Sequence, residues 1–300
     1  MTRRQGMGTL TMALAIVSLG IWCGCGPRAG SVPKPTSSIR IASLTLATDE
    51  MLAELVPTER IVAVTYLADD PEISNVAGRY PRRTLRLRDT DLEQIVALAP
   101  DLVCVAPYNT ADALRLLERS GLSLYRNEAS RSIDEIEAGV RWLGERVGEP
   151  ERARELVGRM RDRRRRLAER LRDLPHRPRV LFWSAGFTAG RGTTIDDIIR
   201  EGGGVNVAAE LGLDGAAEIA PERVVAADPE VVLLSRRAAD ERQGRIANHP
   251  ILRQLRAVRE DRVIVIEGRA LTSVSQFVVE GAERLAHALH PGRFAVEARP

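Results

Sequence analysis

Short apolar runs alternate with amphipathic segments over the first half of the chain. The runs have the length of buried strands, and the segments between them place apolar residues at helical spacing. Alternating strands and helices indicate a parallel sheet that is covered on both faces. The predicted elements are strands over Ile39–Leu46, Ile61–Tyr66, Leu102–Ala106 and Leu122–Tyr125, and helices over Thr48–Val56, Asp91–Leu98 and Ala111–Ser120.

Two long helices, with almost no strand signal between them, interrupt this alternation. They are predicted over Ile133–Val147 and Glu151–Leu174. The second carries apolar residues at helical spacing, and Pro175 and Pro178 end it. At 1.5 Å per residue, its roughly 24 residues form a rod of about 36 Å, which is the width of a domain.

The alternating pattern returns after the long helix. Gly202, Gly203 and Gly204 follow a predicted helix, whereas a phosphate-binding loop precedes one, so we interpret them as a helix C-cap. The predicted elements are strands over Val180–Ser184, Val231–Ser235 and Val263–Glu267, and helices over Thr194–Glu201, Pro221–Ala227 and about Phe277–Leu289.

One segment of the first half recurs in the second. Residues 93–103 align without a gap with residues 222–232, and identical pairs include Pro100 with Pro229. Both copies predict a helix, then proline and an acidic residue, then a strand. Two copies on either side of a long helix favour two related α/β lobes.

The pattern therefore predicts an α/β protein with two Rossmann-like lobes joined by a single long backbone helix. A chain of 300 residues, 44% of them hydrophobic, is long enough to bury two such cores. The predicted division is a lipoprotein-type signal peptide over 1–25, a flexible tether over 26–38, an N-terminal lobe over 39–148, the backbone helix over 149–175, a C-terminal lobe over 178–291 and a tail over 292–300.

The first residues have the build of a secretory leader. Arg3 and Arg4 precede an apolar stretch over 10–22, which is too short to cross a bilayer as a helix. Gly24 before Cys25 resembles a bacterial lipoprotein cleavage site. We expect Cys25 to be lipidated and to anchor an extracytoplasmic protein to the membrane of the cell envelope. A plain cleaved leader or an uncleaved anchor is the alternative.

Charge and motifs exclude several functions. The net charge of +3 gives no reason to expect a nucleic-acid partner. The basic run Arg161–Arg166 is followed by acidic residues on the same predicted helix, so we interpret it as a solvated, salt-bridged face. The sequence has no Gly-x-Ser-x-Gly or Walker A motif, and its only lysine is Lys34. We predict that the protein is not an enzyme and has no cofactor.

An ordered set of motifs resembles the periplasmic binding proteins of ABC importers for vitamin B12, haem and ferric siderophores. The resemblance covers roughly residues 39–291. It implies the helical-backbone fold, in which two lobes enclose a ligand in the cleft between them. The motifs are Arg40–Leu44, Leu92–Val103, Gly203–Asn206, Pro221–Pro229, His249–Leu252, Ala257–Ile266 and Glu280–Ala286.

The resemblance also implies partners. Glu93 and Glu222, one in each lobe, correspond to the acidic residues with which relatives dock on permease arginines. The alternative is that both are ordinary first-turn glutamates at the positive end of a helix. The implied ligand is a corrinoid, with cobalamin placed first, or a ferric chelate. A monomeric binding protein would deliver it to a permease dimer with its ATPase.

Aromatic and arginine side chains fall near the predicted carboxyl ends of strands, where open α/β sheets bind ligands. Aromatic faces suit a flat macrocycle or a catecholate, and arginine suits carboxylates or an anionic chelate. For each residue, and above all for Trp183 and Phe277, packing in the core or between lobes is the alternative. The candidate ligand-binding residues are Tyr66, Tyr80, Arg82, Tyr108, Trp183, Phe187, Arg191, Arg236 and Phe277.

Other classes of protein remain alternatives. A bare-metal (Zn or Mn) binding protein of similar fold, or a chelatase-like enzyme, needs histidine or carboxylate ligands in the cleft. The chain has four histidines, and none precedes His176, which argues against both. No metal site is predicted. A surface module that senses or scavenges the same ligand without an importer is the remaining alternative.

Overall fold

The computed structural model describes residues 39–88, 92–107, 109, 111–128, 130–236 and 250–294. Several features predicted from the sequence lie outside these residues. They are the leader, Cys25, the tether, Tyr108, His249 and the last six residues of the tail.

The N-terminal lobe has a parallel sheet, which has five strands in the described part of the chain. These are β1 (Ile41–Ser43), β2 (Ile61–Thr65), β3 (Leu85–Leu87), β4 (Leu102–Val105) and β5 (Leu124–Arg126), in the spatial order β3-β2-β1-β4-β5. Helices α1 (Leu46–Leu55), α2 (Leu92–Leu98) and α3 (Ala111–Arg119) alternate with them. Strand β3 was not predicted, because an alternation over three residues is too short to distinguish from a loop.

The C-terminal lobe repeats this plan with four parallel strands among the described residues. These are β6 (Arg179–Phe182), β8 (Val205–Asn206), β10 (Val231–Ser235) and β11 (Val263–Ile266), in the order β11-β10-β6-β8. A separate antiparallel pair, β7 (Phe187–Ala189) and β9 (Ala216–Glu218), was not predicted. The helices are α6 (Thr194–Glu201), α7 (Val207–Glu210), α8 (Pro221–Ala227), α9 (Arg256–Arg259), α10 (Gly268–Leu271) and α11 (Val278–Leu289).

Two long helices follow the N-terminal sheet, α4 (Ile133–Arg146) and α5 (Pro150–Arg170), and α5 leads into the C-terminal lobe. Leu156 and Met160 of α5 lie in one hydrophobic core that includes Ile41 of β1 and Val180 of β6. Helix α5 therefore shares a core with strands of both sheets, and it contacts α1 of the N-terminal lobe and α6 of the C-terminal lobe. The predicted α/β fold with two lobes on one backbone helix is confirmed.

The helix ends before the predicted Leu174, because its C-cap is Leu171. Leu171 and Leu174 continue the apolar spacing beyond the helix. Leu171 is buried with Ala282 and Ala286 of α11, and the partly buried Leu174 packs against this cluster. The pattern therefore identified the buried residues correctly and extended the helix too far.

The repeated segment has the same structure in both lobes. Helices α2 and α8 are each followed by a residue with a left-handed backbone, Ala99 and Asp228, and both have φ of 43°. Pro100 and Pro229 come next, and β4 and β10 then pair in parallel with the first strand of their lobe, β1 and β6. The sequence repeat is therefore a structural repeat.

The glycine triplet ends α6, as predicted. Gly202 is the C-cap, Gly203 has φ of 83°, and the Gly204 amide donates to the Ile199 carbonyl at 2.9 Å. A Cβ on Gly203 would lie 2.7 Å from Nε2 of His290, so a side chain does not fit there without a shift.

Cys104 is a free, fully buried thiol on β4, as expected from its apolar surroundings. Among the described residues, no helix combines the length and the apolar character that crossing a membrane requires.

Candidate functional site

The two lobes touch on both sides of the strand ends. On one side, the Arg269 amide donates to the Glu72 carbonyl at 3.1 Å, and Nδ2 of Asn75 donates to the Arg269 carbonyl at 2.8 Å. On the other side, the Ile133 amide donates to Oδ2 of Asp197 at 2.8 Å. Open α/β sheets bind ligands at the carboxyl ends of their strands, and we call the space between these ends of the two sheets the cleft.

On the N-terminal lobe, Tyr66 and Arg88 form a pair at the carboxyl ends of β2 and β3. Tyr66 directly follows β2 and is 45% exposed. The Arg88 guanidinium lies over its ring, 4.1 Å from the ring centroid, in cation–π geometry. The pair presents an aromatic ring and a cation together. Arg88 was not predicted from the sequence, although the alternation of Leu85, Arg86 and Leu87 before it is the signal of a short strand.

On the C-terminal lobe, Trp183 and Phe187 follow β6 but differ in exposure. Trp183 is only 8% exposed and packs in the core of its lobe, which is the alternative to ligand contact that the sequence left open. Phe187 is 48% exposed. Ser184 and Phe187 bond to each other through their backbones, around Ala185 and Gly186 with φ of 53° and 90°. This tight turn holds the Phe187 ring out of the core.

The two predicted arginines of the C-terminal lobe are exposed and ion-paired. Nε of Arg191 lies 2.8 Å from Oδ1 of Asp214, and Nη2 of Arg236 lies 3.2 Å from Oε1 of Glu267. Arg236 directly follows β10, so it stands at a carboxyl end. Because both pairs are exposed, solvent screens them and an incoming anion can exchange partners with them.

Arg191 also borders a crevice of about 570 Å³ between the lobes. Ser130 and Arg131 form its N-terminal wall, and Thr193 and Asp214 lie on the opposite wall. The crevice thus places one arginine of each lobe at the same opening. Sequence analysis did not single out Arg131, because nothing near it in the chain indicates that the other lobe is close.

A second hollow, of about 380 Å³, shares Ser130 and Arg131 with this crevice. It runs along α4 beside β5, and Trp142, with 59% of its surface exposed, lies at its wall. Tyr125 forms part of the floor and donates from its hydroxyl to the Gly139 carbonyl at 3.1 Å. The hollow therefore continues from the opening between the lobes onto the N-terminal lobe.

Three predicted ligand contacts do not lie at the strand ends. Tyr80 is 4% exposed, packs in the main core and donates from its hydroxyl to the Asp49 carbonyl. Arg82 is exposed but precedes β3, so it stands near the amino end of that strand. Phe277 is partly buried and packs against the main hydrophobic core. Tyr80 and Arg82 were both expected at a strand end because β3, which follows them, was not recognised in the sequence.

The predicted docking residues occupy matching places in the two lobes. Glu93 lies in the first turn of α2 and Glu222 in the first turn of α8, and both are exposed. Within the described residues, neither carboxylate takes part in an ion pair. In the same part of the chain, no group of three or more His, Cys, Asp and Glu side chains is arranged to hold a metal ion.

Two α/β lobes on a backbone helix, with aromatic and cationic side chains at the strand ends, define a two-lobed binding protein. The chain belongs to the periplasmic binding protein family, whose model matches residues 41–270. This match confirms the resemblance drawn from the sequence motifs.

Individual relatives agree with this family. The chain is 26% identical over 261 residues to a cobalamin-binding protein of Halobacterium salinarum, covering 84% of this chain and 69% of that protein. It is 21% identical over 273 residues to the uncharacterized ABC transporter substrate-binding lipoprotein YvrC of Bacillus subtilis, covering 85% and 81%. The apo structure of the periplasmic haem-binding protein RhuT from Roseiflexus sp. RS-1 has a TM-score of 0.73 at 24% identity, covering 85% and 99%, and shows the fold.

Proposed function

We propose that this protein is the extracytoplasmic solute-binding component of an ABC importer. It captures a corrinoid or a ferric chelate in the cleft and delivers it to a permease dimer with its ATPase. The observation that carries the proposal is the cleft itself, with Tyr66, Arg88 and Phe187 exposed at the strand ends of two lobes on one backbone helix. No chemistry on the ligand is required of these residues.

The ligand class follows from the chemistry of these side chains. The exposed rings of Tyr66 and Phe187 suit the flat face of a macrocycle, and the cleft arginines suit carboxylate or amide oxygens at its edge. Cobalamin stands first, because the archaeal relative that aligns with 84% of this chain is named a cobalamin-binding protein.

Docking and anchoring complete the proposal. Glu93 and Glu222 stand one on each lobe, where a pair of permease arginines can reach both. A lipid on Cys25, followed by the tether over 26–38, would hold the protein at the membrane while leaving the lobes free to reach the permease. The name of the Bacillus relative as a substrate-binding lipoprotein supports this arrangement.

Ligand binding is tested by titrating the purified protein with cyanocobalamin, haemin and a ferric siderophore. We expect one of them to bind with a Kd between submicromolar and micromolar, about −8 to −10 kcal/mol. Tyr66→Ala and Phe187→Ala should each weaken binding, whereas Leu116→Ala, which removes an exposed apolar side chain on α3, should not. Failure of all three compounds to bind would remove the ligand class.

Docking is tested by uptake of the ligand in cells. The double variant Glu93→Ala with Glu222→Ala should abolish uptake and leave the Kd unchanged. A matched control is Glu145→Ala with Glu260→Ala, which removes one exposed acid from each lobe elsewhere. Loss of ligand affinity in the first double variant would contradict the docking role. Uptake that does not depend on the protein at all would favour a sensing or scavenging module.

A further inference from the structure

Glu50 is a buried carboxylate whose two oxygens serve different lobes. It lies on α1 and is 2% exposed. Oε1 accepts from the backbone amide and from Nδ2 of Asn75, at 2.8 and 2.9 Å, within the N-terminal lobe. Oε2 accepts from the hydroxyls of Ser273, at 3.0 Å, and Ser275, both in the C-terminal lobe between α10 and α11. The carboxylate therefore bridges the lobes.

Further hydrogen bonds cross at the same place. Nε2 of Gln276 donates to the Glu50 carbonyl at 2.8 Å, and Nδ2 of Asn75 also donates to the Arg269 carbonyl at 2.8 Å. A Cβ on Gly268 would lie 3.3 Å from the Glu72 carbonyl oxygen. The glycine thus permits the two lobes to approach this closely.

The physical chemistry makes this contact sensitive to distance. The pKa of Glu50 is raised, because burial outweighs the opposing effect of the hydrogen bonds from Ser275, Asn75 and Ser273. Among the described residues, no cation forms an ion pair with Glu50. The carboxylate is therefore stabilised by its hydrogen-bond donors, and half of those donors are in place only when the lobes have this separation.

We propose that Glu50 is a positioning residue for the cleft. By holding the segment 273–276 against α1, it fixes the separation of the lobes on one side of the cleft and hence the spacing of the strand ends that contact the ligand. Its effect on ligand affinity rests on the proposed function, whereas its effect on the lobe contact does not.

The test compares Glu50→Ala with Glu50→Gln in the full-length protein by hydrogen–deuterium exchange without ligand. In Glu50→Ala, peptides that cover 70–77 and 268–277 should exchange about tenfold faster, since the contact opens locally. Glu50→Gln should behave like wild type, because its carbonyl accepts from Asn75 and its amide donates to the serine hydroxyls, which also accept. A purely local packing role would confine the faster exchange in Glu50→Ala to peptides of the N-terminal lobe and leave 268–277 at the wild-type rate.

Two control variants make the exchange result specific. Glu54→Ala removes a carboxylate one turn along α1 that pairs with Arg79 and Arg159. Ser74→Ala removes a buried hydroxyl that bonds to the Ala68 carbonyl within one lobe. Neither variant should change exchange in 268–277. A folded Glu50→Ala protein with wild-type exchange in both segments would overturn the proposal.

Where Glu50→Ala does not fold, the double variant Ser273→Ala with Ser275→Ala weakens the same contact from the other lobe. It should accelerate exchange in 70–77 as well as in 268–277, and unchanged exchange in 70–77 would overturn the proposal.

Ligand affinity gives a separate readout. The Kd for whichever of cyanocobalamin, haemin and the ferric siderophore the wild type binds should rise about tenfold in Glu50→Ala and stay unchanged in Glu50→Gln. A wild-type protein that binds none of the three compounds contradicts the proposed function, while the exchange result still decides the role of Glu50.

Discussion

Two polar regions hold the lobes together, and they have opposite charge and different burial. In the region around Glu50, one anion receives hydrogen bonds from both lobes and is 2% exposed. In the region around Arg164, on α5, one cation pairs with Asp134 and Glu137 of α4 and with Glu201 of α6, and it is 24% exposed. Each region uses a single charged side chain to join elements of both lobes.

The difference shows where the energy of the lobe contact resides. The Arg164 guanidinium is partly exposed, so water and salt screen its ion pairs, and the buried Glu137 keeps Arg161 as a second partner. A buried carboxylate that loses its donors keeps the full cost of desolvation. We therefore expect the Glu50 region to dominate stability and pH dependence, and the Arg164 region to contribute less.

The arginine run on α5 corrects one interpretation of the sequence. Its ion pairs were expected within the same helix, on a solvated face. The structure instead pairs Arg163 with Glu283 of α11, and Arg161 and Arg164 with the nearly buried Glu137 of α4. The run therefore joins the backbone helix to its neighbours, which the spacing along one helix does not reveal.

The largest expected effect is the pH dependence of stability. Burial raises the pKa of Asp49, the neighbour of Glu50, from its ordinary value to about 8. Between pH 5 and about 8 the folded protein keeps a proton that the unfolded chain has released. The free energy of unfolding should therefore fall as pH rises, by up to about 1.4 kcal/mol per pH unit.

Urea denaturation across this pH range measures the effect. Asp49→Asn should clearly reduce the slope, because the amide does not titrate. Glu50, whose pKa is also raised by burial, should leave a smaller slope of the same sign. An unchanged slope in this variant would assign the pH dependence to another group.

The next effect is the loss of the Glu50 carboxylate. Glu50→Ala leaves the donors of Asn75, Ser273 and Ser275 without their acceptor, and the free energy of unfolding should fall by about 3 kcal/mol. Urea denaturation at pH 7 checks the value, with Glu50→Gln as the isosteric comparison. A loss below about 1 kcal/mol would be typical of surface contacts and would contradict the dominant role of this region.

The Arg164 region should show a smaller, salt-dependent effect. Arg164→Met keeps an apolar stem but removes the cation, and we expect a loss of about 1 kcal/mol at low ionic strength that shrinks in 1 M NaCl. The same denaturation measurement in both salts tests it. A loss that equals that of Glu50→Ala, or that does not respond to salt, would contradict the assignment of the weaker role to this region.

The smallest effect is expected one residue further along α5. Arg165 is 65% exposed and pairs only with Asp162 on its own helix among the described residues. Arg165→Met should change the free energy of unfolding by less than about 0.5 kcal/mol. It is the matched control for Arg164→Met, and a similar loss in both variants would show that the interlobe position of Arg164 adds nothing.

Local signals in the sequence carried most of the fold. Helices α6 and α8 and strand β10 have the predicted boundaries. Each of these elements is marked by residues close together in the chain. The signals are apolar residues at helical spacing, a proline or glycine at a helix end, and a short apolar run for a strand. The short strands β3, β7 and β9 were not predicted, because a three-residue strand is determined by its neighbours in the sheet rather than by its own sequence pattern.

The site was predicted less well than the fold, and neighbouring residues show why. Tyr66 and Tyr80 belong to one loop, yet the first is exposed at a strand end and the second is buried in the core. The sequence does not distinguish them, because the exposure of each side chain depends on which side of the sheet the chain passes. Arg88 was missed because β3 before it is too short to recognise, and Arg131 because nothing near it in the chain indicates that the other lobe is close.

The sequence by itself determined the two repeated lobes, the stiff helix between them and the family, because these follow from local periodicity and ordered motifs. The tertiary structure alone decided which side chains reach the cleft and which acidic residue joins the lobes. Glu50 and Glu54 lie one turn apart on α1, but only Glu50 meets serines that are 223 and 225 residues away in the chain. Contacts over such separations depend on how the lobes pack, and no local pattern encodes them.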